Sequence, residues 1–276
     1  PAPAPQSQRG GRVVTTEAAT TSGLLGEHID VELGGRLVVR DVTLAVSPGE
    51  LVVLVGPNGC GKSTLLSVMA GLRTPQAGRV MVDGIDIAGM HARELARARS
   101  LVTQQNRPNT PFTVAEVVEM GRYPWLRTPQ AAESPRIISE SMRVCHLDDI
   151  AERPFGQLSG GQQARVSLGR ALAQSTPIML LDEPTAALDI HHQEGVLDIL
   201  RSHRDNGAAI LLVVHDLSLA AAYADRVALM KQGHLLGVGS VREVMTADRL
   251  SETYDHPVEI WDHPETGAPI IVPRRQ

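Results

Sequence analysis

Among the stretches of this chain that are apolar without interruption are Leu51 to Val55, Ile178 to Leu181 and Ala208 to Val214. A strand with one face in water alternates apolar and polar residues, so these runs predict strands buried on both faces. Helical spacing follows them. Leu65, Leu66, Val68 and Met69 mark one helix, His192 to Leu200 and Leu217 to Ala224 two more, and Val227 to Met230 reads as a further strand. Strands alternating with helices in this way predict an α/β unit built on a mostly parallel, helix-covered sheet.

Elsewhere the period changes. Ile29 to Val46 is strand-like on both sides of a Gly34-Gly35 turn, and Val80-Met81-Val82 and Ile85-Asp86-Ile87 flank the hairpin signal Asp83-Gly84. An antiparallel β subdomain is therefore expected beside the main sheet. From Thr113 to about His146 the spacing is mostly helical, opened by Thr113 and Glu116 in a capping box. This predicts an inserted helical subdomain over about 106–160. Beyond Gly239, Val241 to Met245 and Ala247 to Tyr254 read as helical, and Val258 to Trp261 and Ile270 to Val272 as extended. The chain divides accordingly into a tail over 1–26, rich in Pro, Ala, Ser, Thr and Gly and expected to be disordered, a main domain over 27–246, and an extension over 247–276.

Composition narrows the picture. A chain of 276 residues, 42% hydrophobic, can bury a large core, and its net charge of −5 argues against a nucleic-acid partner held by a general positive field. Its longest apolar run falls far short of the roughly 20 residues that a membrane-spanning helix needs. The two cysteines, Cys60 and Cys145, form no disulfide framework and fit a reducing compartment.

The chemistry begins at Gly56-Pro57-Asn58-Gly59-Cys60-Gly61-Lys62-Ser63-Thr64, between the first buried strand and the first helix. Glycines at 56, 59 and 61 allow positive φ, so that backbone N–H groups turn inward as an anion nest. Lys62 can then reach the β- and γ-phosphates, Ser63 can offer its hydroxyl to Mg²⁺, and the helix directs its positive end at the same phosphates. Ile178 to Leu181 ends in Asp182-Glu183, two carboxylates where a buried strand meets a ligand. Asp182 is the candidate for holding Mg²⁺ and Glu183 for polarising the attacking water. Leu158-Ser159-Gly160-Gly161-Gln162-Gln163 opens a second helix, with Ser159 as its cap and bare N–H groups at the glycines.

These segments, in this order, resemble the ATP-binding cassette family, whose signature is LSGGQ, over roughly Ile29 to Met245. The resemblance implies ATP hydrolysis with Mg²⁺ by a homodimer. Each ATP would lie between the phosphate loop of one copy and Ser159, Gly160, Gly161 and Gln162 of the other. It also implies that His215 holds the γ-phosphate and the water, that Gln104 (or its neighbour Gln105) touches Mg²⁺ and links core to lobe, and that Asp189 crosses to the partner. Leu33 stands where the family usually has an aromatic to stack on adenine, leaving aliphatic contact or a cation–π contact from Arg40.

With one cassette and no heptad repeats, the chain resembles ATPases that power a separate permease dimer, rather than soluble repair or translation ATPases. The segment Pro111 to Pro124 is similar to importers of iron chelates and cobalamin, and most of all to the haem branch, although Cys60 is more familiar from the ferric siderophore branch. This similarity implies a place on the cytoplasmic face of the membrane and an indirect partnership with a substrate-binding protein. His191, His192 and His203 are expected to be solvated rather than metal ligands.

Overall fold

The structure is a computed structural model that describes residues 22–103 and 111–275. Its first half contains β1 (Leu24–Leu33), β2 (Arg36–Val46), β3 (Leu51–Val55), α1 (Lys62–Met69), β4 (Ala77–Val82), β5 (Ile85–Asp86), α2 (Ala92–Ala98) and β6 (Arg99–Val102). A helical lobe follows: α3 (Val114–Glu119), 3₁₀ turns over Met120–Trp125 and Pro129–Glu133, α4 (Ser134–Val144) and the long α5 (Gly160–Gln174). Then come β7 (Ile178–Asp182), α6 (Ile190–Asp205), β8 (Ala209–Val213), α7 (Leu217–Tyr223), β9 (Arg226–Lys231) and β10 (His234–Gly239). The chain closes with α8 (Val241–Val244), α9 (Ala247–Tyr254), β11 (Val258–Asp262) and β12 (Pro269–Pro273).

Among the described residues the main sheet runs β10-β9-β3-β8-β7-β6. Every pairing in it is parallel except that of β10 with β9. The three apolar runs lie side by side at its centre, which explains their composition. Leu51, Val53 and Val55 face a core shared with α3, α5, α6 and α7, while Val52 and Leu54 face a second core shared with α1 and the antiparallel sheet. Successive side chains of a strand point to opposite faces, so both faces demand apolar residues here. The antiparallel sheet, ordered β2-β1-β4-β5, covers the second core, and β11 pairs with β12 in a C-terminal hairpin.

The structure departs from the sequence reading in three places. β1 begins at Leu24, where Leu24, Leu25 and Gly26 pair with both β2 and β4; these residues belong to the sheet, not to the tail. The helix α2 has a single buried residue, Leu95, and so left no apolar stripe in the sequence. β10 was also unforeseen. It is a half-buried edge strand, joined to β9 by Gln232 and Gly233, both at positive φ.

Candidate functional site

The sheet order places the C-terminal ends of β3, β8, β7 and β6 next to one another, and neighbouring strands are about 4.8 Å apart. The candidate residues gather at these ends. Gly56 has φ 154°, and a Cβ there would come within 2.1 Å of the Met230 carbonyl oxygen and 2.9 Å of the Cys60 sulfur. Gly61, at φ 111°, would place one 2.7 Å from the Val38 carbonyl oxygen. The loop is thus wedged between β2 and the β9–β10 turn, where Gly233 N–H donates to the Cys60 carbonyl (2.9 Å), and only glycine fits at either position.

Within this loop Lys62 is buried, and its ammonium donates to the carbonyls of Gly56 (2.7 Å) and Pro57 (3.1 Å). The Ser63 hydroxyl donates to Asp182 Oδ1 at 3.2 Å, which brings together two of the three predicted metal ligands, one from the start of α1 and one from the end of β7. Burial raises the Asp182 carboxyl above its ordinary range, with the Ser63 bond opposing and the charge of Glu183 adding. Such a carboxylate gains from a cation. Glu183 is buried at the end of β7, and its carboxylate contacts His215 Nε2. Its backbone is unusual: φ is 51°, with its N–H donating to the Val213 carbonyl at 3.0 Å. A non-glycine residue in the left-handed region at such a place stores strain.

Asn58, Gly59, Gly61, Lys62, Ser63, Glu183 and His215 line one pocket of about 290 Å³. Cys60 sits beneath it, buried, and burial raises its thiol pKa against the opposing charge of Lys62. It is held as a neutral thiol that fills space. Thr64 is the third residue of α1, and its carbonyl accepts from the Ser67 hydroxyl.

The signature residues lie elsewhere. Ser159 caps α5, its hydroxyl accepting from the Gln162 N–H (3.3 Å), while the Gln162 side chain accepts from the Ser159 N–H (3.0 Å). Gln162 is therefore occupied within its own cap, and Gly160 and Gly161, the first two residues of α5, have N–H groups with no partner inside the helix. A Cβ on Gly161 would be 3.3 Å from the Ala187 carbonyl oxygen, so the signature abuts the segment before Asp189. Asp189 caps α6 and accepts from the His192 N–H (2.9 Å) and Nδ1 (2.7 Å); the backbone bond comes first in lowering its pKa. Ser159 and Asp189 are exposed, and the adjacent Ile190 is 78% exposed. None of the signature residues lines the pocket around Lys62. Gln104, with Gln105, lies outside the described residues.

The histidines prove heterogeneous. His192 is taken up by Asp189, and among the described residues no cluster of three or more His, Cys, Asp or Glu could hold a metal. His203 is not solvated as expected. It is half-buried, and burial lowers its pKa below 6.5. Sequence reasoning also missed Arg122, a buried cation whose partners are backbone carbonyls and a serine; no charge pattern in the sequence marks it.

A glycine nest with an invading lysine, beside a strand that ends in two carboxylates, defines a nucleoside triphosphatase of the phosphate-loop class. The model of the ABC transporter family matches residues 39–186, and the chain belongs to that family; it is an ATPase. The chain is 47% identical over 252 residues to the hemin import ATP-binding protein HmuV of Rhodococcus jostii, covering 91% of this chain and 86% of the relative. It is 39% identical to the cobalamin import ATP-binding protein BtuD of Halobacterium salinarum, over 89% of this chain and 62% of that one. A solved dimeric bacterial ABC transporter cassette is 29% identical, with a TM-score of 0.72 over 79% of this chain and 99% of that one.

Proposed function

We propose that this chain is the ATP-hydrolysing subunit of a haem importer. Two copies would act together on the cytoplasmic face of a membrane against a separate permease dimer, which a substrate-binding protein supplies. The observation that carries the ATPase chemistry is the convergence of Lys62, Ser63, Glu183 and His215 on one pocket. The haem assignment rests on similarity to the hemin import protein, and the permease on the same ground. Among the described residues no helix is long and apolar enough to cross a membrane; the permease would supply the membrane span.

The roles follow from the geometry. Lys62 exchanges the carbonyls of Gly56 and Pro57 for the β- and γ-phosphates, a charge-assisted replacement of neutral acceptors. Ser63 and Asp182 suit Mg²⁺, an oxygen-seeking ion that takes one or two carboxylates and completes its shell from phosphates and water; when bound, it neutralises charge on the phosphate oxygens. Gln104 is the remaining candidate for that ion. Glu183 orients and deprotonates the attacking water, and His215, in contact with it, holds the γ-phosphate side. The open side of the phosphates needs donors, which Ser159, Gly160 and Gly161 of a second copy supply. Asp189 and Ile190 lie beside these residues and are exposed, and the similar bacterial cassette is itself dimeric, which supports a two-copy assembly.

Co-purification with the native permease and binding protein tests the assignment through the absorbance spectrum of the captured ligand. A haem Soret band is the expected result. A corrin spectrum would move the assignment to cobalamin, and an iron–chelate charge-transfer band to ferric siderophores.

A further inference from the structure

The C-terminal end of α5 is held by an arrangement that the phosphate chemistry does not use. A Cβ on Gly121 would lie 2.2 Å from the Arg170 carbonyl oxygen, so the 3₁₀ turn over Met120–Trp125 presses directly on the last turns of α5. Arg122 is only 3% exposed, and its guanidinium donates to the Ala173 carbonyl (3.0 Å), the Gln130 carbonyl (3.2 Å) and the Ser134 hydroxyl (3.1 Å). The Trp125 indole N–H donates to the Gln174 carbonyl at 2.6 Å. Arg122 and Arg97 lie 5.4 and 5.7 Å from the centre of the Trp125 ring. A cation at a helix C-terminus also meets the negative end of its dipole.

From α5 the contacts continue to the core. The Gln174 side chain donates to the carbonyls of Ala96 (2.5 Å) and Arg99 (2.9 Å), at the end of α2 and the start of β6, and Arg97 donates to the Pro124 carbonyl (2.8 Å). On the outer side, Tyr123 and Leu126 are 54% and 50% exposed. The opposite end of α5 carries Ser159 to Gly161. A helix of 15 residues, at about 1.5 Å each, spans roughly 22 Å. One stiff rod thus ends in the signature at one tip and in a capped, directionally bonded joint at the other.

We propose that Arg122 and Trp125 form the joint through which displacement of the signature helix moves the outer face of the helical lobe. This rests on the reading that a permease meets that face. A buried guanidinium bonded to carbonyls resists reorientation, because any swing exposes a desolvated charge without acceptors. Arg122 and Trp125 are therefore positioning residues, remote from the reacting atoms.

The test uses the full subunit with spin labels at Gln157→Cys, beside the signature, and Leu126→Cys, beyond the joint; both sites are exposed, whereas Cys60 and Cys145 are buried. A narrow distance distribution is expected with and without ATP, broadening in Trp125→Phe and in Arg122→Lys. If whichever of these variants folds leaves the distribution unbroadened, the joint is overturned. In vesicles holding the permease, hemin uptake per ATP should fall about tenfold, the scale of one lost buried hydrogen bond to a charged group, while hydrolysis by the isolated subunit stays unchanged. Uptake and hydrolysis falling in proportion would mark a merely structural role and overturn the coupling. Hydrolysis by the native subunit that is indifferent to the permease would instead overturn the transport reading, with the distance measurement still judging the joint.

Discussion

Glu183 is held in the left-handed region, at φ 51°, where an L-residue with a Cβ pays about 1–2 kcal/mol. Two substitutions separate that strain from the chemistry. Glu183→Gln keeps the Cβ, the volume and the contact with His215, and so keeps the strain while removing the base. Turnover should fall about 10²- to 10⁴-fold, equivalent to about 3–5 kcal/mol of barrier, with ATP binding preserved and a closed ATP-bound dimer accumulating. Glu183→Gly removes the same base and also releases the backbone. The strain relieved exceeds the extra chain entropy that glycine loses on folding, about 0.5–1 kcal/mol. Both variants remove the buried carboxylate, so Glu183→Gly should exceed Glu183→Gln in stability by about 0.5–1 kcal/mol. For a domain of this size that is at most about 2–4 °C in melting temperature. Phosphate release reports the chemistry and thermal unfolding the strain. Wild-type hydrolysis by Glu183→Gln would refute the assigned base, and a Glu183→Gly protein no more stable than Glu183→Gln would refute the strain.

Three further outcomes are expected. Lys62→Ala should weaken ATP binding at least tenfold, since one charge-assisted bond is worth about 1.5–3 kcal/mol; unchanged affinity by calorimetry would count against its role. Leu33 is half-buried at the end of β1, packed on the second core; if it supplies aliphatic contact to the base, Leu33→Tyr should tighten ATP binding by about 0.5–1.5 kcal/mol through stacking, and an unaltered dissociation constant would sink that idea. His203 has its pKa lowered by burial from 6.5, with Glu140 opposing. The unfolded chain then takes a proton near pH 6.5 that the folded chain refuses until lower pH, so stability should fall as pH drops below 6.5. His203→Gln should flatten that acid limb, and a pH–stability profile identical to that of the native chain would exclude His203 as its source.

How much could be read in advance varies with how local the physics is. β3, β7 and β8 were legible because burial on both faces leaves no polar residue in the run, and the phosphate loop because its glycines answer to backbone dihedrals. The strand β10 escaped because only half of it is buried, though Gln232-Gly233, both at positive φ, is a hairpin turn of the kind that marks such strands. The helix α2 has its capping box at His91 and Glu94 but only Leu95 in the core, so a start signal existed without an apolar stripe after it. Arg122 could not have been found. Two of its acceptors, at Gln130 and Ala173, are backbone carbonyls, which every residue possesses and no residue type advertises.

The two ends of α5 bear on the proposal that this chain carries half of a two-copy site. The pocket around Lys62 is lined from one side only, by the loop, β7 and the residue that follows Val214. Gly160 and Gly161, at the start of α5 where first-turn N–H groups have no partner inside the helix, lie on a different surface, next to the exposed Asp189 and Ile190. Under the proposed two-copy site, donors that come from another copy cannot be preorganised until the two copies meet, and hydrolysis is then conditional on closure. Because the helix that supplies those donors is pinned at its far end to the outer lobe by Arg122 and Trp125, whatever holds the lobe also biases the position of the signature. The dependence runs in both directions, as coupling between two sites must: a partner that prefers the closed arrangement of the lobe raises ATP affinity by the same factor by which ATP favours that partner's state.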